Sequence, residues 1–317
     1  MAQLQSTILS GSIKLPTENT SSVLNIFLDP SSQNLAYVSD QGQWSMGGNL
    51  INVRVGSAGA GTQDAGLVFG GRNPSNLSVT EEYDGSSWTA GGALSTARNG
   101  VGGAGTQNAG LAFGGCIPTA VTCTEEYNGT SWSAGGALIC ERSTLGGAGT
   151  QDAALGFGGR GNSSALSCTE EYNGTSWSAG GDMITDRRMV TGAGTQNAAL
   201  SFGGVPTTAC SEEYNGTSWS ASDNLIVERF GLGGAGTQNA ALGFGGCFSY
   251  ADVLTCTEKY DGTSWTAGSA LIITKTESAG AGTQNAGLAA GGDPQEGVCM
   301  NLTEEYSNLG ILHKIVI

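Results

Sequence analysis

The segment GAGTQNAGLAFGG at residues 103–115 recurs with small changes in six copies, and this repeat constrains the fold more than any other feature. The six threonines of the GAGTQ motifs are Thr62, Thr106, Thr150, Thr195, Thr237 and Thr283, with steps of 44, 44, 45, 42 and 46 residues. All six tryptophans follow the same period: Trp44, Trp88, Trp132, Trp177, Trp219 and Trp265. The chain is therefore an array of like units, and each Trp is a structural repeat residue.

Within one unit, apolar residues occur in short bursts separated by Gly and Asn-Gly, without the period of a helix. This pattern predicts four short strands: a around GGAGT, b at AxLxFGG, c at TEEY and d at SWSAGGAL. Pairs such as Asn128-Gly129 and Asp84-Gly85 then lie between c and d, where a tight turn with positive φ favours them. Four strands in a repeat of about 40 to 50 residues indicate the blades of a β-propeller.

The phase of the repeats predicts how the array closes. Trp44 precedes the first GAGTQ, whereas the last unit has TEEY at 303–306 and no Trp after it. We therefore expect QWSMGGNL near the N-terminus to supply strand d of the last blade, which removes the open sheet edges of a linear array. Tyr37 also precedes Trp44 as a strand c tyrosine would, so Tyr37 and the C-terminal TEEYS are alternative candidates for strand c of that blade.

The predicted fold is all-β, a six-bladed propeller over residues 41–306. Residues 1–40 are expected to form an extended arm for attachment, with a hairpin that ends in the first blade strand. Residues 307–317 are expected to form a tail strand, either added to the last blade or donated to a neighbouring subunit.

A glycine doublet followed by a Tyr and then a Trp, as in Gly114-Gly115, Tyr127 and Trp132, resembles the kelch repeat over residues 41–306. The resemblance implies a kelch-like propeller. It implies no single function, because kelch-like propellers serve as enzymes, adaptors and adhesive surfaces.

The repeats differ mainly on one rim of the predicted ring. The a–b and c–d turns are nearly constant. The b–c and d–a connections vary in length and chemistry; the first b–c connection is 72–80 and the last is 293–303. Variable loops on a constant scaffold are typical of recognition surfaces, with neutral drift as the alternative.

A basic residue follows each Trp by ten positions, and we expect these six to ring the channel mouth on the variable rim. They are Arg54, Arg98, Arg142, Arg187, Arg229 and Lys275. Such a ring would bind a carboxylate or an acidic sugar. The structural alternative is that each base pairs with a strand c glutamate of its own or a neighbouring blade.

A net charge of −15 argues against nucleic acid or an anionic membrane as a partner, since no basic stripe is present. Much of the acid lies in the TEEY motifs, whose glutamates are expected to be solvated. No apolar run is long enough to span a membrane, and the N-terminus lacks the pattern of a secretory signal.

The eight cysteines show no metal-binding spacing, and no metal or other cofactor is expected. Two pairs, Cys116 with Cys123 and Cys247 with Cys256, face each other across equivalent b–c connections and are candidates for disulfides, with reduced thiols as the alternative. The only histidine, His313, lies in the tail, so no Ser/His/Asp triad can be placed on the propeller. These observations predict that the protein is not an enzyme.

The segment DPSSQNLAYVSDQGQW, residues 29–44, resembles the short N-terminal attachment segments of tailed-phage virion proteins, in which an extended arm precedes a small hairpin ending in an aromatic residue. This resemblance implies a virion structural protein, either a capsid decoration or a tail appendage such as a fibre. Its arm would bind other virion proteins, and its propeller would face a host-surface glycan or protein.

Two other functions remain as alternatives. One is an intracellular kelch-type interaction module that binds an acidic peptide over the basic ring. The other is a glycan-acting enzyme, which the single histidine and the repeated character of the acidic residues disfavour.

Overall fold

The computed structural model describes residues 42–295 and 297–308 in full, and the backbone of the strands at 25–28, 35–39 and 311–314. All regular structure in these residues is β-strand, and none of them forms a helix. Consequently, no helix in the described part of the chain is long and apolar enough to cross a membrane.

Six antiparallel four-stranded sheets form the blades, each with the spatial order a-b-c-d. Blades 1 to 3 consist of Ala58–Gly61, Gly66–Phe69, Thr80–Tyr83 and Trp88–Ala90; of Gly102–Thr106, Ala109–Phe113, Thr124–Tyr127 and Trp132–Ala134; and of Gly146–Gly149, Ala154–Phe157, Thr169–Tyr172 and Trp177–Ala179. Blades 4 to 6 consist of Thr191–Thr195, Ala198–Phe202, Ser211–Tyr214 and Trp219–Ala221; of Gly233–Thr237, Ala240–Phe244, Thr257–Tyr260 and Trp265–Ala267; and of Ala279–Thr283, Ala286–Ala290, Thr303–Ser307 and Gln43–Met46. The six strands a contact each other in a closed ring, which confirms the predicted six-bladed propeller.

The closing blade is completed by the N-terminal strand, as the phase of the repeats predicts. Gln43–Met46 pairs antiparallel with Thr303–Ser307, and Trp44 lies opposite Tyr306 as every other strand d Trp lies opposite a strand c Tyr. The C-terminal TEEYS is therefore strand c of blade 6. Tyr37 belongs to a separate sheet.

The two ends of the chain form a unit distinct from the propeller, which comprises residues 43–308. In this unit Leu35–Ser39 pairs with Asn25–Leu28 on one side and Ile311–Lys314 on the other. The hairpin of 25–28 and 35–39 differs from the expected one, which would have ended in the first blade strand, because Gln43–Met46 pairs with Thr303–Ser307 instead. The tail forms the predicted strand, but the prediction of its partner was wrong, because it pairs with this hairpin and not with the last blade. Of the residues 1–40 expected to form the arm, 1–24, 29–34 and 40 lie outside the described residues.

Three of the b–c connections form short hairpins of their own. Their strands are Arg72–Asn73 with Ser75–Asn76, Cys116–Ile117 with Thr119–Ala120, and Cys247–Ser249 with Asp252–Val253. In blades 1 to 5 the c–d turns are constant four-residue loops. In blade 2, Oδ1 of Asn128 accepts hydrogen bonds from the N–H groups of Thr130 and Ser131 at 3.0 and 2.9 Å, and Gly129 has a φ of 86°. This Asx turn explains the recurrent Asn-Gly and Asp-Gly pairs.

Aromatic side chains fill the space between adjacent blades. Phe113 of blade 2 packs against Trp177 of blade 3 in a tilted arrangement with ring centroids 5.0 Å apart, and Tyr172 makes a second tilted contact with the same Trp at 4.9 Å. The indole Nε1 of Trp177 donates to Oγ1 of Thr124 in blade 2 at 2.9 Å. Each of the six tryptophans makes the equivalent hydrogen bond to a strand c Thr or Ser of the preceding blade. Every interface therefore combines aromatic burial with a satisfied indole donor.

Two further repeat residues bond adjacent blades to each other. Nε2 of Gln151 donates to the carbonyls of Gly110 and Tyr127 in the preceding blade at 2.9 and 2.7 Å, and the other five GTQ glutamines do the same. The hydroxyl of Tyr172 donates to Oε1 of Glu126 at 2.5 Å. The prediction that the TEEY glutamates are solvated was therefore wrong: the second one accepts a hydrogen bond across a blade interface, and the first one is buried.

The strands a approach one another so closely at the axis that only glycine fits there. A Cβ at Gly147 would lie 2.5 Å from the carbonyl oxygen of Gly103 in the next strand and 2.9 Å from Cζ of Phe113. Equivalent glycines, such as Gly59 and Gly280, meet the neighbouring backbone in the same way. Much of the glycine content is thus explained by close backbone approach, and not by disorder.

Candidate functional site

The face that carries the b–c and d–a connections is the candidate site, and we call it the variable face. In blade 3 the N–H of Ser143 donates to the carbonyl of Arg160 at 2.9 Å, and the N–H of Arg160 donates back at 2.7 Å. The same β-bridge joins the two connections in all six blades: Val55 with Arg72, Asn99 with Cys116, Ser143 with Arg160, Arg188 with Val205, Phe230 with Cys247, and Thr276 with Asp293. Backbone bonds therefore fix this face, and its side chains can differ without loss of the fold.

The six basic residues predicted to ring the channel mouth are not exposed on this face. Arg54, Arg98, Arg142, Arg187, Arg229 and Lys275 are all 0% exposed. Each pairs with the first glutamate of strand c in its own blade, and the partners in order are Glu81, Glu125, Glu170, Glu212, Glu258 and Glu304. The expectation of a ligand-binding basic ring is thus corrected in favour of the structural alternative, since no ligand can reach these cations.

Each buried pair also holds a d–a connection in place. Nη2 of Arg187 donates to Oε1 of Glu212 at 2.8 Å, while Oε2 of Glu212 accepts from the backbone N–H of Ile184 at 2.7 Å. Nη1 of Arg187 donates to the carbonyls of Gly203 and Cys210 at 2.7 and 2.9 Å. Burial lowers the pKa of Arg187, and the charge of Glu212 opposes that shift. The pair stabilises the scaffold beneath the variable face.

In every blade, the residue two positions after the buried Arg or Lys takes part in a ring of backbone hydrogen bonds around the propeller axis. We call these residues the axial ring: Gly56, Gly100, Thr144, Met189, Gly231 and Glu277. Each N–H donates to the carbonyl of the equivalent residue in the preceding blade at 2.7–3.2 Å, and the bond from Gly56 to Glu277 closes the ring. The ring fixes six equivalent positions at the centre of the variable face.

All six residues of the axial ring have positive φ, and only three are glycine. Thr144, Met189 and Glu277 have φ values of 52°, 53° and 51°. A non-glycine residue in this left-handed region costs about 1 kcal/mol or more. Side chains kept at such positions are candidates for function. Sequence reasoning missed them because a positive φ cannot be recognised where Thr, Met or Glu occupies the site.

A cavity of about 100 Å³ lies at the axial ring. Its apolar wall comes from Val101, Leu145, Val190 and Leu232, and its polar groups include Glu277. A second cavity of about 120 Å³ follows along the axis and is lined largely by the glycines of the strands a. Only the first cavity is bordered by a charged side chain.

Around the axial ring, the residues that follow the glycine doublets bring unlike chemistry to equivalent positions. They are Arg72, Cys116, Arg160, Val205, Cys247 and Asp293. The carboxylate of Asp293 is engaged in its own loop, where it accepts from the N–H groups of Gln295, Gly297 and Val298 at 2.8–3.2 Å. The variable face is thus chemically asymmetric although its backbone repeats.

Isoleucine side chains at one position of the d–a connections are exposed in five blades, which sequence reasoning also missed. Ile51, Ile139, Ile184, Ile226 and Ile272 are 52–62% exposed, and Ser95 is the sixth residue of the set. The backbone N–H at this position donates to the buried glutamate in every blade. The recurrent Leu-Ile or Met-Ile dipeptide is the sequence signal, in which the first residue is buried and the second is not.

All cysteines in the described residues are free thiols, including the candidates for disulfides Cys116, Cys123, Cys247 and Cys256. Sγ of Cys116 donates to the carbonyl of Pro118 at 2.8 Å, and Cys247 is fully buried with its sulfur 3.5 Å from Oγ1 of Thr276. The structure therefore corresponds to the reduced alternative.

Among the described side chains, no group of three or more His, Cys, Asp or Glu residues forms a metal-binding cluster. His313 lies on the strand 311–314 of the small sheet, outside the propeller unit. The glutamates of the TEEY motifs recur in equivalent scaffold roles, so they do not form the unrepeated pair of carboxylates that glycoside hydrolysis uses.

In comparisons with known proteins, no protein-family model matches the chain. No curated protein matches it either.

Proposed function

We propose that this protein is a non-enzymatic structural protein of a tailed-phage virion, with a kelch-like propeller displayed on the particle surface. The N-terminal segment attaches the protein to other virion proteins. The variable face of the propeller binds a protein or glycan of the host surface.

The main support for the binding role is that the scaffold residues repeat in every blade, whereas the side chains of the variable face differ between blades. The Trp, Gln, Tyr, Glu and Arg residues of each repeat hold the blades and connections by buried contacts. Side chains that border the axial ring differ from blade to blade, as Arg72, Arg160 and Asp293 do, on a backbone fixed by the same β-bridges. A rigid frame with unequal exposed chemistry is the arrangement expected of a recognition surface.

The virion role is supported by the ends of the chain. Residues 29–44 resemble phage attachment segments, and the strands 25–28 and 35–39 form a hairpin in a unit distinct from the propeller. Such an arrangement suits a protein that docks through its N-terminal segment and presents a separate domain. The burial of all six repeat bases removes the support for an acidic-peptide adaptor.

The test is to locate the protein and then its attachment segment. Mass spectrometry of purified virions should detect the chain, and electron cryomicroscopy should show a six-bladed ring on their surface. A chain that begins at Gly42 keeps Trp44 and the whole propeller, and we expect it to fold but not to join particles. Recovery of the full chain only from host cytosol, or incorporation of the shortened chain at the normal level, would contradict the proposal.

The adhesive role has its own experiment. The double variant Arg72→Ala and Arg160→Ala, on the variable face, should reduce binding of the purified protein to host cells. The matched control is Asp84→Asn in a c–d turn, because Asn occupies this turn position in blades 2 to 4. Equal loss of binding in both variants, or in neither, would count against recognition by the variable face.

A further inference from the structure

The carboxylate of Glu277 is the one charged group among the six positions of the axial ring. A Cβ at the neighbouring Gly56 would lie 3.3 Å from Oε2 of Glu277, so the carboxylate extends over a position where no side chain competes for space. The carboxylate oxygens of Glu277 accept no hydrogen bond from any residue in the described part of the chain, and only its backbone carbonyl accepts one, from Gly56. A half-buried anion without such a donor attracts a cation.

An aromatic residue contacts the thioether of one of the residues that line the cavity. The hydroxyl of Tyr250 donates to Sδ of Met189 at 3.6 Å, and Met189 lines the cavity. The ring of Tyr250 packs edge-on against Phe230, with centroids 5.3 Å apart, next to Gly231 of the axial ring. Tyr250 is 46% exposed. Tyr250 does not itself line the cavity, so its contribution is the contact that holds the Met189 side chain at the cavity wall.

We propose that the axial cavity is a binding site for an organic ammonium group, with Glu277 as its anion. The cavity, at about 100 Å³, is several times larger than one water molecule needs and admits an ammonium group with a short carbon chain. Its wall of Val, Leu and Met side chains contacts the carbon atoms. The carboxylate accepts the charged N–H donors.

A metal ion fits this site less well than an amine. Calcium and magnesium require six or more oxygen ligands, and among the described residues Glu277 is the only one that brings a carboxylate to the cavity lining. Each backbone carbonyl of the axial ring already accepts an N–H from the next blade.

The charges near Glu277 support this assignment. Burial raises the pKa of Glu277, Arg72 opposes the rise, and Asp293 adds to it. The carboxylate therefore lacks full compensation for its charge, and a bound cation would provide it. The net charge of −15 also favours the approach of cations to the protein. The inference rests on the propeller alone and does not depend on a role in a virion.

The five methionines allow a direct test with the full-length protein. In a sample labelled with ¹³C at the methionine methyl groups, methylammonium chloride should shift the Met189 signal in a saturable way. The signals of Met46, Met183 and Met300 are internal controls because these residues do not line the cavity. Sodium chloride at equal ionic strength should produce no saturable shift.

The variant Glu277→Gln should lower the affinity for methylammonium about tenfold or more, since it removes the charge but keeps the shape. Glu277→Gly is a second variant, and it should fold because glycine occupies the equivalent position in three blades. The matched control Glu228→Gln removes an exposed carboxylate from a d–a connection and should bind as the native protein does.

The source of the amine is distinguished by a second ligand. Nα-acetyl-lysine methylamide represents a lysine side chain of a partner protein, and its Nε-acetylated form is the uncharged control. Tighter binding of the lysine derivative than of methylammonium would indicate a partner lysine, whereas binding of methylammonium alone would indicate a small free amine. Absence of a saturable Met189 shift with either ligand, or equal binding by Glu277→Gln, would overturn the proposal.

Discussion

The Arg187 guanidinium donates to Oε1 of Glu212 at 2.8 Å, and the two side chains are only 0% and 3% exposed. Glu212 in turn accepts the backbone N–H of Ile184, so the pair joins strand c to the d–a connection that enters its own blade. An arginine or lysine occupies the equivalent place in all six blades. The repeated basic residue therefore belongs to the scaffold of the variable face.

The first prediction concerns this pair. Arg187→Met should lower the free energy of unfolding by about 3–5 kcal/mol, because it leaves the buried Glu212 without its cation. The control is Arg188→Met at the next position, which should change it by no more than about 0.5 kcal/mol since Arg188 is partly exposed. Urea denaturation followed by tryptophan fluorescence measures both. Equal effects of the two variants would contradict the structural role.

The sequence is sufficient to predict the propeller, but it does not show whether the six repeated basic residues are buried or exposed. The period of Trp and Gly predicts the blades, and the phase of Trp44 against Tyr306 predicts the closure, because both reflect regular strand geometry. Arg187 lies in a connection, where no alternation indicates which side of the chain is buried. The sequence contains six repeated basic residues and a glutamate in each strand c, which indicates that they could pair. It does not show the geometry of the pairs or whether they are buried.

The axial ring and the partner of the C-terminal strand could not be predicted from the sequence either. The ring depends on positive φ at Thr144, Met189 and Glu277, residue types that give no local sign of that conformation. The apolar alternation near Ile311–Lys314 predicts a strand, but its partner, Leu35–Ser39, lies at the opposite end of the chain. The repeat period identifies the partner of Gln43–Met46, but the C-terminal strand and its partner lie outside the repeats, where no periodic signal identifies a partner so distant in the sequence.

The second prediction tests closure of the ring. A chain that begins at Gly47 lacks strand d of blade 6, and with it the buried Trp44 and its hydrogen bond to Thr257 at 3.0 Å. It should be less stable than a chain that begins at Gly42 by at least about 3 kcal/mol, the usual minimum for loss of a buried Trp. Thermal unfolding monitored by circular dichroism compares the two chains. Equal melting temperatures would show that Gln43–Met46 does not hold the ring closed.

The third prediction concerns the close approach of the strands a. Gly147→Ala should lower the free energy of unfolding by about 1–3 kcal/mol, because its Cβ meets the backbone of Gly103 and neither strand can move without displacing the next. Gly161→Ala, in the same blade, has no atom nearer than 3.6 Å and should be tolerated. Denaturant unfolding of the two variants measures the difference. Similar stability of both would mean that the axis is packed less tightly than the structure indicates.

The fourth prediction is a loss of stability in alkali. Burial, followed by the hydrogen bond to a glutamate of the preceding blade, raises the pKa of Tyr127 to about 12. The same shift applies to Tyr83, Tyr172, Tyr214 and Tyr260. Because the folded pKa lies above the unfolded value of about 10, each contribution is complete below pH 10 and is lost as the pH rises toward about 12.

Over that range, each tyrosine that ionises only in the unfolded chain should lower the free energy of unfolding by up to about 1.4 kcal/mol per pH unit. Urea denaturation at a series of pH values measures the slope, and tyrosinate absorbance should appear together with unfolding. Tyr127→Phe removes one titrating group and the donor to Glu82, so it should be less stable at neutral pH by about 1 kcal/mol and show a shallower alkaline slope. Ionisation of these tyrosines near pH 10 in the folded protein would contradict their placement in the blade interfaces.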